Sequence, residues 1–311
     1  MAVYETGTAT GPADLITKLE TFAVANGWTV NTPTSGKVFT KGGKYWGVSW
    51  DVDDIFLRAA TGYAAGSAWN AQPGAAPQTQ VANNIPGPFQ AYHFFAGSAP
   101  DYLHVVIEKS AGLFSHIGIG NIQKSGEYVG GEYTNALYWL TAYTTSQSPN
   151  NPDDDNHSVP FDCIANQYTA TARNNIRCEV DSLIWHPFGS AAVNTLTTPN
   201  AVGGVRGQGP HMSFNKELYD RSPSDFNQLT PLLPIMVHIR RASGLTSLIG
   251  FAKDIRFLNI KNLAPGELIT IGSDEWLVFP LIQKTATWGS TTDPTRLIPS
   301  SGNYGLAYKR N

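Results

Sequence analysis

Apolar residues along this chain follow a helical period near the N-terminus and a strand period over most of the remainder. Over residues 14–26, Leu15, Ile16, Leu19, Phe22 and Ala23 form one stripe at helical spacing. Pro12 suits a first helical turn, and Gly27 is the residue type that most readily turns left-handed past a helix end. The stripe is about one face wide, so this helix is expected to lie on a sheet. Short β-branched or aromatic runs follow at 28–30, 37–39, 44–50 and 55–59, separated by Gly, Pro, Ser or Asp. Gly42 and Gly43, between Lys41 and Lys44, predict a two-residue hairpin turn. Further strands are expected at 92–95, 102–109, 113–119, 235–240, 255–260, 268–271, 275–281 and 304–308, with the GSDE turn at 272–275.

The intervening segments are loop-like. Residues 62–88 are small residues, amides and prolines, and a loop of that length is usually functional or an arm onto a neighbour. A polar loop at 144–158 follows the aromatic segment 136–143, and 186–230 is largely irregular. No internal repeat is visible, which disfavours solenoids and propellers. The expected class is α+β and mainly β, with antiparallel sheets or a sandwich, one N-terminal amphipathic helix and long irregular loops. The expected division is a helix-plus-sheet domain over 1–143, a loop-rich insertion or connector over 144–230, and C-terminal strands over 231–311 that pack with the N-terminal part.

Composition narrows the function classes. Apolar residues make up 41% of the 311, enough for a core, while charged residues are only 14%, against roughly 25% in ordinary soluble domains. A neutral surface rich in hydroxyls and amides is easier to bury against a partner, because fewer charges lose water. The formal net charge is −3 with no basic run, so no direct nucleic-acid partner is expected. The longest apolar runs, such as 277–282, are strand-sized, and no membrane insertion is expected. The N-terminus lacks the basic and apolar regions of a signal peptide, which implies synthesis and retention in a cytoplasm. Cys163 and Cys178 read as buried thiols, since one pair makes neither a disulfide framework nor a CxxC metal site.

Candidate chemistry concentrates in the glycine- and aromatic-rich block 89–133. His93, His104 and His116 lie there near Asp101, Glu108 and Glu127. Strand alternation puts His104 on one face with Tyr102 and Val106, and His116 on one face with Phe114 and Gly118. A hairpin turning at 109–112 brings the two histidines towards each other. No HxH, HExxH or HxxE signature joins them, so histidines satisfied within a strand or interface are the better reading than a metal site. Asp153, Asp154 and Asp155 lack the spacing, glycine and distal glutamate of a calcium loop. Asp51, Asp53 and Asp54 end a strand and read as turn formers or caps. There is no GxSxG elbow and no phosphate loop, and GVRGQG at 204–209 does not connect a strand to a helix. Paired carboxylates for glycoside cleavage stay open in a chain of this size. Trp46 and Trp50 share one strand face, where core packing or subunit contact outweighs sugar stacking. No catalytic, cofactor-binding or metal-ligating residue is assigned, and no cofactor is expected.

Four stretches carry a family resemblance. YETGTATGPADLITKLETFAVANGWTV at 4–30 resembles the start of many tailed-bacteriophage virion structural proteins, with an extended TGTA segment, an amphipathic helix, NGW and a strand. Residues 92–133, together with ITIGSDEWLVFPLIQKT at 269–285 and GNYGLAYKR at 302–310, are similar to segments of the same group. The resemblance implies a non-enzymatic virion subunit of the tail, neck or baseplate, with the tail or baseplate preferred. It further implies a ring-like homo-oligomer contacting other virion proteins, with extended termini and the 62–88 tract reaching neighbours by strand addition. A receptor- or carbohydrate-binding virion module and a hydrolase of cell-envelope polymer are the alternatives.

Overall fold

The helical stripe folds as α1 (Pro12–Ala25), two residues earlier than the apolar spacing alone begins. Asp14 Oδ2 accepts the Thr10 N–H at 2.9 Å and pairs with Lys18 one turn on, which secures the first turn. Pro12, Leu15, Ile16, Leu19, Phe22 and Ala23 are its buried face. At the far end Gly27 takes φ 76°, and the Trp28 N–H returns to Ala23 O at 3.0 Å. The computed structural model describes residues 2–77, 79–139, 157–158, 160–161, 174–187, 229–240, 246–284 and 303–311.

Strands β1 (Val3–Ala9), β2 (Thr29–Asn31), β3 (Lys37–Lys41), β4 (Lys44–Trp50), β5 (Ile55–Ala60) and β6 (Gln80–Ala82) come first. They are followed by β7 (Phe89–Gly97), β8 (Tyr102–Ser110), β9 (Leu113–Asn121), β10 (Gln123–Lys124) and β11 (Gly130–Ala136). Then come β12 (Tyr138–Trp139), β13 (His157–Ser158), β14 (Asn175–Val180), β15 (Leu183–Pro187) and β16 (Leu233–Arg240). The last are β17 (Thr246–Asn259), β18 (Leu268–Ile271), β19 (Asp274–Pro280) and β20 (Tyr304–Lys309). This is the mainly β, antiparallel architecture with one N-terminal helix that the periodicities predict.

Three sheets stack. The middle one runs β1-β7-β8-β9-β11-β14-β15. On one side lie the five-stranded sheet β2-β3-β4-β5-β6 and α1; on the other lies β10-β17-β20-β19-β18, with β16 also on β17. Alternation along β8 sends Leu103, Val105 and Ile107 into the core with α1, Val48, Ile55 and Leu57. Tyr102 and Val106 face the other core, with Phe257, Phe279, Leu306 and Tyr308. The central strands β8, β9 and β11 are therefore buried on both faces over most of their length, so polar residues on them must find partners indoors. Of the strands between Leu233 and Lys309, β16, β17, β19 and β20 share this second core with β7, β8, β9, β11 and β14.

The tract beginning at residue 62 closes onto its own chain. Gln72 is buried and ties it together, accepting the Ala64 N–H at 2.7 Å and donating to Ala68 O at 2.9 Å. Ala76 N–H bonds Ala59 O at 2.8 Å, and Trp69 N–H bonds Ser35 O at 3.2 Å. Gly47 permits the close approach: a Cβ there would sit 2.2 Å from Trp69 O. This part of the 62–88 tract thus packs on β4 and β5 of its own sheet. The extended N-terminus is likewise engaged, as β1 paired along β7.

Candidate functional site

The candidate histidines lie on the face of the middle sheet that meets the β17–β20 layer. β8 and β9 pair with Val106 opposite His116 and His104 opposite Gly118, the hairpin expected from the sequence. His104 and His116 are 2% and 0% exposed. His116 Nε2 lies 2.9 Å from Pro280 O, which can only accept, so this nitrogen carries the proton. Its Nδ1 then accepts from the Tyr308 hydroxyl at 2.8 Å, with the two rings stacked. His104 Nε2 meets the Tyr133 hydroxyl at 2.5 Å, its ring stacks on Tyr102, and its Nδ1 is buried with no hydrogen-bond partner among the described residues. Tyr102 donates to Asp254 Oδ2 at 2.8 Å; Asp254 takes φ 57° within β17, which turns its carboxylate inward.

Burial sets the protonation states. It pushes His104 down to about 3, with the neighbouring His116 adding to the effect, and His116 down to about 4. His93, mostly buried, is likewise pushed down to about 4. The Tyr133 and Tyr308 hydroxyls are raised well above their ordinary value by burial. At neutral pH the group is a set of uncharged rings and hydroxyls that ties the two layers together. Such a network fixes register between sheets, because each broken bond leaves a polar atom stranded.

His93 stands apart from the pair. Its Nδ1 lies 2.9 Å from the Tyr4 hydroxyl and its ring packs on Phe279. His93 and His116 both pair with Val106, from opposite sides. Two strand spacings therefore separate them, about 10 Å, whereas zinc holds its ligands at about 2 Å. The neighbouring acids do not join the histidines. Asp101 Oδ1 lies 3.5 Å from Lys41 Nζ, Glu108 Oε1 accepts the Gly112 N–H at 3.0 Å within the hairpin turn, and Glu127 is exposed.

The other sequence candidates resolve one by one. Asp51, Asp53 and Asp54 bring carboxylate oxygens within 4.8 Å of one another. Asp51 Oδ1, however, accepts the N–H groups of Asp53 and Asp54 at 3.2 and 2.8 Å, the bonds of a turn between β4 and β5. Trp46 is fully buried, donates its indole N–H to Tyr133 O at 3.0 Å and packs on Trp28; Trp50 is partly buried on the same core. Cys178 is buried on β14. Asp153, Asp154, Asp155 and Cys163 lie outside the described residues.

A polar cluster on the opposite face of the middle sheet was not singled out from the sequence. Glu132 on β11 has a side chain only 3% exposed, and its Oε1 lies 3.4 Å from Lys44 Nζ and 3.3 Å from Arg177 Nη1. Lys44 also donates to Asn121 Oδ1 at 2.8 Å, and Asn121 is the cross-strand partner of Glu132. A signal for it does exist. Lys44 is in phase with Trp46 and Val48, and Asn121 with Ile117 and Ile119, so both were due to point into the core.

No protein-family model matches the chain, and no curated protein matches it. Among the described residues no helix is long and apolar enough to cross a membrane.

Proposed function

We propose that the chain is a non-enzymatic structural subunit of a tailed-phage virion, placed in the tail or baseplate, assembling with copies of itself and with other virion proteins. The observation that carries this reading is one flank of the stack, where two strand edges lie side by side. Phe279 of β19 packs on His93 and Phe95 of β7, while Tyr308 of β20 packs on His104 and His116. One strand further out in each layer, β1 and β18 share a flank. Among the described residues β1 pairs only with β7 and β18 only with β19. Val3, Leu268 and Ile271 on these strands are large, apolar and exposed, at 40%, 40% and 53%.

Open edges that carry apolar residues are what strand addition between subunits uses, and monomeric proteins normally blunt them with charge or proline. β18 has neither: it reads LITI. Apart from their first residues, Val3 and Leu268, the same two strands fall within the stretches that resemble virion proteins. Low charge over the whole chain favours burial of such surfaces in an assembly. Sedimentation of the purified chain over a concentration series tests the reading. A closed oligomer that Ile271→Lys disperses to monomers is expected. A monomer at every concentration opposes the proposal.

A further inference from the structure

The gap between the five-stranded and middle sheets holds a lysine, an asparagine and a glutamate within reach of one another. Lys44 Nζ is 2.8 Å from Asn121 Oδ1 and 3.4 Å from Glu132 Oε1. We propose that this trio is a self-modifying site, in which Lys44 Nζ forms an amide bond to Cγ of Asn121 while Glu132 carries the protons.

Positioning is the first argument. Asn121 and Glu132 are fixed opposite each other on β9 and β11, and the Asn121 N–H is held by Asp101 O at 2.8 Å. Lys44 reaches them from β4 in the facing sheet. Its amine already contacts the carboxamide oxygen at 2.8 Å, so the carbonyl carbon lies one bond beyond the atom it touches, and a small shift of the lysine end onto the carbonyl face brings the reacting atoms together. Glu132 is held in turn by Arg177 Nη1 at 3.3 Å on the same oxygen.

Environment is the second. Asn121 is 8% exposed and the Glu132 side chain 3%, so the carbonyl and the carboxylate are largely shielded from water, while the Lys44 side chain, 27% exposed, is the partly solvated member. Glu132 Oε2 is buried and has no hydrogen-bond partner among the described residues, which leaves a lone pair inside the gap to accept a proton. The attacking nitrogen must be an uncharged amine. Burial lowers the pKa of Lys44, and the nearby cations Lys124 and Arg177 lower it further, while Glu132 acts in the opposite sense. A glutamate that both attracts the ammonium and takes its proton resolves that opposition.

The step balances without an outside reagent. Glu132 takes one proton from the Lys44 ammonium, and the freed electron pair on Nζ attacks Cγ of Asn121. The second proton of the amine and the one held by Glu132 pass to Nδ2. The Cγ–Nδ2 bond breaks and ammonium leaves, with Glu132 returned to its starting state. One C–N bond replaces another, and nothing is oxidised or reduced. The product joins residues 77 apart and links two sheets covalently.

Intact-mass spectrometry of the folded, purified full-length chain, followed by tryptic mapping, tests this. The wild-type chain is expected to weigh one ammonia less than its sequence. Its digest should contain a branched peptide joining the Lys44 and Asn121 segments, with no cleavage after Lys44. Lys44→Arg and Glu132→Gln are expected to keep full sequence mass. Asn121→Asp, which would lose water instead, should reach the same mass as the linked wild type. Circular dichroism confirms folding of each variant. If Glu132→Gln fails to fold, the Lys44→Arg and Asn121→Asp results stand alone. A folded wild-type chain at full mass with Lys44 cleaved overturns the proposal, as does ammonia loss that maps to another asparagine. Linkage persisting in a folded Glu132→Gln variant overturns the role of Glu132.

Discussion

Acidification from neutral to about pH 5 is expected to remove a large part of the stability of this fold, through three histidines. His93, His104 and His116 have folded-state pKa values of about 4, about 3 and about 4, all lowered first by burial. In the unfolded chain each returns to about 6.5. A group whose pKa is lower when folded binds its proton more readily when unfolded, so stability is full above about pH 6.5 and falls as pH drops towards the folded values. At about pH 5 the unfolded chain holds nearly all of these protons and the folded chain holds almost none. Each histidine then costs about 2 kcal/mol, from about 1.5 pH units at 1.36 kcal/mol per unit. Together the three cost about 6 kcal/mol, comparable with the whole stability of many domains. That sum depends on the ordinary histidine pKa rather than on the precise folded values. Carboxylates titrate mainly below this window, which isolates the histidine contribution. Urea unfolding at pH 7.5, 6 and 5 measures it, with the slope against denaturant used to confirm an unchanged transition. Replacing His104 by Phe should flatten the pH dependence by about one proton's worth. Equal stability at pH 5 and pH 7.5 would refute the placement of these rings in a dry layer.

Trp46→Phe removes the indole donor to Tyr133 O and leaves space beside Trp28; a loss of about 2–4 kcal/mol in denaturant unfolding is expected. Gly47→Ala puts a methyl 2.2 Å from the Trp69 carbonyl oxygen, so thermal unfolding should drop by an amount matching about 2 kcal/mol or more, and no change would mean that the 62–77 segment does not sit on β4. Val105→Ile extends a side chain into a dry apolar void of about 10 Å³ lined by Leu15, Leu19, Val48 and Ile117. A gain of up to about 0.8 kcal/mol in calorimetry is expected, and a loss would show that the void is already closed by side-chain motion.

Local periodicity made much of this fold legible. The α1 stripe, the Gly42–Gly43 turn, the β8–β9 hairpin and the β18–β19 turn at Gly272 each depend on residues close in sequence. β17 was less so: the run at 255–260 was expected, but the strand begins at Thr246. Asp254 sits at positive φ within it and interrupts the apolar alternation, so the pattern before it does not read as the same strand. Burial of both faces of β8 and β9 was hidden for a related reason. His104 and His116 mimic the polar positions of a half-wet strand, and their partners Tyr133, Pro280 and Tyr308 are distant in sequence. Nothing local marks the 62–77 segment as packed on its own sheet except Gly47, whose missing side chain matters only once Trp69 is placed over it. The Lys44, Asn121 and Glu132 cluster is tertiary in the same sense. Alternation points each residue inward, yet only the stacking of two sheets brings them together.

The proposed role, a part of a virion, is tested most directly on the particle itself. Quantitative mass spectrometry of purified virions made by the genome that encodes it measures presence and copy number at once. The account predicts the chain in every preparation, at a fixed copy number set by the ring symmetry of a tail or baseplate. Its absence from virions, with the chain recovered from the lysate as a free monomer, would contradict it.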